Sequence, residues 1–358
     1  MNNNSIAFVL PDFRGGGAER VMITLANYLS QTTTVYFFVG NKSGENASYV
    51  DSAIPVIELG CSGIKSVWKL NLLARKYQVA SMMGTLNMAH AVSLSNIFLR
   101  NKCKTIARIG NTISTDLNNH KGIKKLIQYL YQYSLIFSDE IVVQSEYMRK
   151  DLVSMLNSST VKKKAKLIYN PINHERVNSL SNVDISQVID EQDLITIGRL
   201  EQQKDIETTL IAFSKYLKVN QTSKLHIFGN GSLRLKLERL TSSLNITDNV
   251  IFHGYVENPY PYIKAAKFLV MSSLYEGFSN VILESLVLNT PVIASDCPGG
   301  NSEIIQSGIN GYLFKVKDSN DMYEKILLAD STEFSIHSLD NYHVGTIARQ
   351  YKKVIFDE

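Results

Sequence analysis

The segment Tyr275-Glu276-Gly277-Phe278-Ser279-Asn280-Val281-Ile282-Leu283-Glu284-Ser285 sets two carboxylates eight positions apart around a strand end, a glycine turn, a capping Ser or Asn and an apolar helix. Glu284 falls about one turn into that helix, on an otherwise apolar run, where an unpaired carboxylate is costly to bury. A specific partner is therefore expected. A vicinal ribose diol qualifies, because a carboxylate accepts two O–H hydrogen bonds at once; a neighbouring Lys or Arg is the structural alternative. The free N–H groups from Gly277 to Asn280 could take phosphate oxygens, which would set Glu276 beside a sugar.

Two further loops follow strand-like runs. Gly198-Arg199-Leu200-Glu201-Gln202-Gln203-Lys204-Asp205 comes directly after Leu194 to Ile197 and places two cations five residues apart just before a helix. A fork-shaped guanidinium and a point-charge ammonium could converge there on one diphosphate, although a solvated helix start, ion-paired to Glu201 or Asp205, would look the same. Arg14-Gly15-Gly16-Gly17-Ala18-Glu19-Arg20 follows the first strand and opens a helix, so its backbone N–H groups could approach an anion at a helix N-terminus. A tight turn without a ligand is the alternative. A dinucleotide site fails, because the third glycine position is Arg20 and the second strand ends in Val39-Gly40-Asn41 rather than in an acidic residue.

The elements that must position these loops alternate along the chain. Short apolar runs at Ile6 to Leu10, Val35 to Val39, Thr105 to Ile109 and Glu140 to Val143 are separated by amphipathic segments, the pattern of βα units and a mainly parallel sheet. A second series runs through Leu194 to Ile197, Lys224 to Phe228, Val250 to Phe252, Phe268 to Met271 and Pro291 to Ala294. Leu233, Leu237, Leu240 and Leu244 form the stripe of a helix packed on a sheet. With 358 residues and 44% hydrophobic composition, two α/β domains are the natural division. The expected boundaries are an N-terminal Rossmann-like domain over 1–175, a polar linker over 176–193, a C-terminal Rossmann-like domain over 194–335, and a helical tail over 336–358 that could cross back to the first.

A net charge of +4 is too mild for a nucleic-acid binder, so any basic partner surface must be local. Cys61, Cys103 and Cys297 are too far apart for a metal or redox pair, and their odd number argues against a disulfide framework. A reducing cytoplasm is the simplest setting. The start of the chain lacks a basic n-region and its apolar run stops at Pro11, too short for a signal peptide. No stretch reaches the ~18 uncharged apolar residues of a membrane span.

Glu276-Gly277-Phe278-Ser279 with Glu284 resembles the E-x7-E motif of retaining glycosyltransferases with the GT-B fold, specifically family 4. The likeness continues in order through Gly15 to Arg20, Gln144 to Met148, Asn170-Pro171, Gly198-Arg199-Leu200 with Lys204, Gly229-Asn230-Gly231, His253-Gly254-Tyr255, Pro291 to Ala294 and Gly308 to Gly311. It covers essentially the whole chain and is strongest from about residue 194 to 314.

The resemblance implies an α/β fold of two Rossmann-like domains with mainly parallel sheets facing across a cleft. Arg199 and Lys204 would hold the donor diphosphate, with Gly198, Gly229 and Gly231 in the same loops and the backbone of Gly277, Phe278, Ser279, Asn280 and Val281 assisting. Glu284 would bind the ribose, Glu276 the donor sugar, the main chain at Tyr255 and Val256 the base, and Gly16 and Gly17 the sugar-phosphate from the other domain. Retaining transfer of a hexose or N-acetylhexosamine from a nucleotide-diphosphate sugar, UDP before GDP, is the implied reaction. No cofactor is expected and no metal, since no D-x-D stands in the chain.

Many relatives have a histidine where this chain reads Arg108-Ile109-Gly110-Asn111, so His90, Arg108 and Asn111 are the acceptor-side candidates. Cations beside apolar residues in 65–77 and 120–137 suit weak contact with an anionic bilayer, or ordinary surface helices. Taken with the resemblance, they favour a polyprenyl-diphosphate-linked glycan acceptor at the inner face of the plasma membrane, in O-antigen or capsule assembly. A nucleotide-sugar epimerase on the same fold and a non-catalytic nucleotide-sugar-binding subunit are the rival readings.

Overall fold

The computed structural model describes residues 4–99, 102–118, 120–183 and 188–356. The Asn-rich start read for a signal peptide, part of the expected linker and the last two residues of the tail lie outside them. Two compact units emerge, one of residues 1–172 with 340–358, the other of residues 173–339.

The first unit is a seven-stranded sheet, with β1 at Ser5–Leu10, β2 at Thr34–Val39, β3 at Val56–Glu58, β4 at Ser81–Thr85, β5 at Lys104–Arg108, β6 at Glu140–Val143 and β7 at Ala165–Leu167. Its order is β3-β2-β1-β4-β5-β6-β7, all parallel, as βαβ connections require. Helices α1 (Gly17–Leu29), α2 (Val67–Lys76), α3 (Asn87–Leu99), α4 (Ile113–Asn118), α5 (Gly122–Tyr133), α6 (Glu146–Leu156) and α7 (Ser159–Lys164) make the connections. On one face, Phe8, Leu10, Phe37 and Val142 pack with Met22 and Leu25 of α1. On the other, Val9, Phe38 and Met82 pack with Leu70 of α2 and Val92 of α3, and Ala107 and Val143 pack with Leu117, Leu135 and Met148.

The second unit is a six-stranded parallel sheet ordered β10-β9-β8-β11-β12-β13. In chain order it holds α8 (His174–Leu180), β8 (Leu194–Ile197), α9 (Ile206–Tyr216), β9 (Leu225–Phe228), α10 (Arg234–Ser243), β10 (Val250–Gly254), α11 (Tyr260–Ala265), β11 (Phe268–Met271), α12 (Asn280–Val287), β12 (Val292–Ser295), α13 (Asn301–Ile304), β13 (Gly311–Phe314) and α14 (Ser319–Asp330). Leu237 of α10 is fully buried, with Leu233, Leu240 and Leu244 packed around it, as their spacing requires.

One segment departs from the sequence reading. The stretch expected as linker begins with α8, because Asn173 caps it through its side chain to Arg176 N–H and Val177 is buried. After the second unit the chain returns to the first as α15 (Val344–Phe356), whose Ile347, Tyr351 and Ile355 enter the core beside α1. Among the described residues no helix is long and apolar enough to cross a membrane.

Candidate active site

The loops after β8, β9 and β10 are zipped together by backbone hydrogen bonds that continue the sheet past its last formal pairs. Gly198 N–H donates to Phe228 O at 2.9 Å, Leu200 N–H to Asn230 O at 2.9 Å, and Gly229 N–H to Gly254 O at 2.7 Å. This close approach needs glycine. A Cβ on Gly229 (φ +127°) would stand 2.0 Å from Gly198 O, and one on Gly231 would stand 2.3 Å from Leu200 O. Glu201 ties the same loops by accepting from Ser232 N–H (2.8 Å) and Ser232 Oγ (2.7 Å), so it is not the counter-ion of Lys204.

Lys204 ends a short 3-10 turn over Gln202–Lys204, and its stem lies against Gly198, whose missing Cβ would come 3.1 Å from Lys204 Cε. Its ammonium donates to Glu276 Oε1 at 2.5 Å, with both side chains largely buried. Gln203 fastens the turn to the loop after β11, donating through Nε2 to Tyr275 O at 2.9 Å and accepting Leu274 N–H at 2.8 Å. Arg199 is exposed and reaches Gln203 Oε1 at 3.5 Å. The two cations therefore stand on one short loop pinned to the Glu276 segment.

Glu276 is buried, and its Oε1 also accepts from Ser273 Oγ at 2.6 Å. Its backbone is held by Pro298-Gly299-Gly300, with Glu276 N–H donating to Pro298 O at 3.0 Å and Gly300 N–H to Gly277 O at 3.1 Å. Gly299 (φ +141°) packs so closely that a Cβ would meet Glu276 O at 2.1 Å. Nothing local in the sequence assigns Ser273, Gln203 or Gly299 to the site. Nearby, burial and then the charge of Glu276 push the Cys297 thiol up to about 12.

Ser279 holds the N-cap position of α12 by backbone geometry, but its hydroxyl turns to Met271 Sδ at 3.5 Å and makes no cap hydrogen bond. The capping role expected of it is not realised. Glu284 lies within the helix, buried, and accepts from the Tyr260 hydroxyl at 3.2 Å. Tyr255 projects beyond β10, largely exposed, followed by the half-buried Val256. Nearby, a ladder of side chains runs from the residue before β8 through β9 to β10. Asp193 Oδ2 meets His226 Nε2 at 3.0 Å, His226 Nδ1 meets His253 Nε2 at 2.8 Å, and His253 stacks on Phe228 at 4.3 Å.

In the first unit Gly16 is the N-cap of α1, which begins at Gly17. Asn46 holds the turn through Nδ2 to Arg14 O at 3.0 Å, and a Cβ on Gly16 would stand 2.1 Å from Glu19 Oε2. Arg14 itself pairs with Asp12 at 2.6 Å. The acceptor-side candidates separate. Asn111 is half-buried at the bend before α4. His90 is buried against the Tyr131 ring, its Nδ1 is 3.1 Å from Ser134 Oγ, and burial lowers its pKa to about 4. Arg108 is 1% exposed, with its guanidinium on Tyr351 OH (3.3 Å), Thr85 Oγ1 (3.4 Å) and Asn170 Oδ1 (2.5 Å).

Two parallel α/β units with glycine-built loops at the strand ends are the GT-B architecture. The chain belongs to the family described as glycosyl transferases group 1, which it matches over residues 184–340. It is 30% identical over 333 residues to the Campylobacter jejuni N-acetylgalactosamine-N,N'-diacetylbacillosaminyl-diphospho-undecaprenol 4-alpha-N-acetylgalactosaminyltransferase, covering 88% of this chain and 87% of that one. Among solved structures, a glycosyltransferase from Rickettsia africae superposes with a TM-score of 0.79 at 16% identity, covering 100% of this chain and 99% of the other. Anabaena HepE in complex with UDP and glucose gives 0.75 at 16% identity, covering 98% and 95%.

Proposed function

We propose that the second unit binds a nucleotide-diphosphate sugar, UDP-linked in preference to GDP-linked, and that the enzyme transfers its hexose or N-acetylhexosamine with retention to a lipid-linked glycan. The observation that carries the reading is the loop pair that joins Lys204 to Glu276 at the start of α12. Cleavage of the anomeric C–O bond leaves negative charge on the departing diphosphate. Lys204, held on Glu276, and the N–H groups of Gly277 to Val281 are fixed partners for that charge, the exposed Arg199 closes on it from the same loop, and no metal is required.

Glu284 takes the ribose hydroxyls, with the Tyr260 hydroxyl holding one of its oxygens in place. Glu276 orients the sugar and no covalent role is assigned to it. Tyr255 and Val256 receive the base. The acceptor reading draws on the undecaprenol diphosphate in the name of the Campylobacter relative, and the donor reading on the UDP and glucose bound by the Anabaena protein. On this reading the reaction runs in the cytoplasm at the inner membrane face, in surface-polysaccharide assembly.

The test is incubation with radiolabelled UDP-sugars and a membrane lipid extract, after a thermal-shift screen has chosen the donor. Lipid-borne label is the expected product. A free epimer would support the epimerase alternative, and binding without turnover the non-catalytic subunit.

A further inference from the structure

Helix α5 is built the wrong way round for a helix that packs on a core. Ile123, Leu126, Ile127, Leu130 and Tyr133 recur at helical spacing, the stripe that a surface helix normally turns inward, yet Ile123 is 69% exposed, Ile127 61% and Leu130 60%. The residue of α5 that is buried is Gln132. Contact with α3 comes from Tyr131, whose ring lies on His90 and whose hydroxyl donates to Asn87 O at 3.3 Å.

The apolar surface does not stop at α5. At the far end of α3, Asn96 Nδ2 donates to Phe137 O at 2.8 Å, which brings the exposed Phe137 beside the exposed Ile97 and Phe98. Between α3 and α2 runs a groove of about 370 Å³ lined by Trp68, Leu72, Ile97 and Phe98, with Arg75 and Lys102 among its walls. Trp68 is 67% exposed. Helices α2 and α3 pack on the same face of the sheet, and the residues after α5 join them there. The groove, Phe137 and the α5 stripe thus belong to one side of the unit.

The charge of that side is as unbalanced as its polarity. From Gly60 to Phe137 the sequence holds eleven Lys and Arg residues against one acidic residue, Asp116; of the eleven, Arg108 is buried away from this face, and Asp139, just past Phe137, is tied down by Asn96 and Thr105. The rest of the chain then carries 26 Lys and Arg against 32 Asp and Glu. Asp116 is half-buried and takes a hydrogen bond from Gln132 Nε2 at 3.3 Å, while Lys121, Lys124 and Lys125 flank the α5 stripe in solvent.

We propose that the α2–α3–α5 face docks on an anionic lipid bilayer, with the α5 stripe, Trp68 and Phe98 entering the interfacial layer and the surrounding cations on lipid head groups. The charge selects this occupant. A second copy of the chain would bring a like-charged face, whereas a leaflet of anionic lipid offers the complement. This surface extends the reading of a lipid-linked acceptor but does not depend on it, because none of its residues belongs to the donor site.

Trp68 is the sole tryptophan of the chain, which makes it an intrinsic reporter. With vesicles of phosphatidylcholine and phosphatidylglycerol in equal parts, the full chain should cosediment and its emission should shift to the blue; with phosphatidylcholine alone it should do neither. The Lys124→Ser/Lys125→Ser pair should lower partitioning roughly fivefold per lysine, and Ile127→Asp at least as much as the pair. Leu235→Asp, at an equally exposed leucine of the other unit, should change nothing. Circular dichroism and the thermal shift on UDP check that each variant is folded with an intact donor site. Absence of wild-type binding to the mixed vesicles, or binding undiminished in Ile127→Asp, would overturn the proposal. So would a dimer that Ile127→Asp dissociates while vesicles are ignored. Transfer to a detergent-dispersed acceptor should persist in these variants, so failure of docking and failure of the transferase reading are distinguishable.

Discussion

Lys204 Nζ lies 2.5 Å from Glu276 Oε1, across 72 residues of sequence, and Ser273 Oγ holds the same oxygen at 2.6 Å. The ammonium is thereby fixed before any donor arrives, with donor capacity left beyond the one bond to Glu276. A preset cation costs little reorganisation when a leaving group becomes charged, which is what electrostatic catalysis requires.

Removing that cation should act on turnover. Lys204→Ala is expected to lower kcat by roughly 100- to 1,000-fold, the usual loss when one fixed partner of developing charge is deleted, with a smaller change in KM for the donor. Steady-state kinetics with the donor chosen by thermal shift separates the two. An effect confined to KM would assign Lys204 to ground-state binding.

Glu284→Ala should weaken donor binding more than it slows the chemical step. The variant loses the ribose contact, about 1.5–3 kcal/mol for hydrogen bonds to a charged group, or roughly 10- to 150-fold in affinity, and its loss of the Tyr260 acceptor lowers stability rather than binding. Tyr260→Phe keeps the carboxylate and should show a milder loss. Calorimetric titration with the nucleotide reads both.

Gly229→Ala tests the loop packing without touching a charge. Its Cβ would fall 2.0 Å from Gly198 O at a φ of +127°, so the β8 and β9 loops must part. A stability loss of about 1–3 kcal/mol or more is expected in urea denaturation, together with a lower donor affinity.

Arg108→Met should behave as a structural variant. Its guanidinium ties β5 to Tyr351 of α15 and to Asn170, so its loss should lower the unfolding midpoint of the first unit. Acceptor KM measured below that midpoint should stay within about twofold of wild type, as for a change that leaves binding contacts intact. A large acceptor effect in a fully folded variant would return Arg108 to the acceptor side.

Acid should loosen both units through two histidines held neutral in the fold. Burial lowers His90 to about 4, and burial with the neighbouring His226 lowers His253 to about 4, against 6.5 for an unperturbed imidazole. Both rings are held neutral in the fold while the unfolded chain takes up protons, so stability is full above pH 6.5 and falls as pH drops toward 4. The buried His90 should remove about 2 kcal/mol between pH 7 and pH 5 and the half-buried His253 less, read as a shift of urea midpoints. Midpoints independent of pH over that range would show that the rings do not titrate this way.

The strands were legible where β-branched and aromatic residues run together, as in Ile6 to Leu10 and Val35 to Val39. They were not legible at Ser81–Thr85, where Ser-Met-Met-Gly-Thr lacks that chemistry, or in the three-residue edge strands at Val56–Glu58 and Ala165–Leu167. Loop glycines and cations were visible from their order along the chain. Which of them touch was not, because Lys204 meets Glu276 and Arg108 meets Tyr351 only through the fold, the latter pair 243 residues apart. Arg108 looked available at a strand end because nothing near it in sequence announces α15. For α5, the apolar spacing was readable, but the direction the stripe faces is set by Tyr131 and the helices beneath it.

Arg199 and Lys204 are assigned to one and the same diphosphate. Calorimetric titration of UDP into the wild type and into the Arg199→Ala/Lys204→Ala variant tests it directly. Binding weakened by roughly 100-fold or more, with the fold intact by circular dichroism, is the predicted result for loss of two charge-assisted contacts. Equal affinity in the two proteins would contradict it.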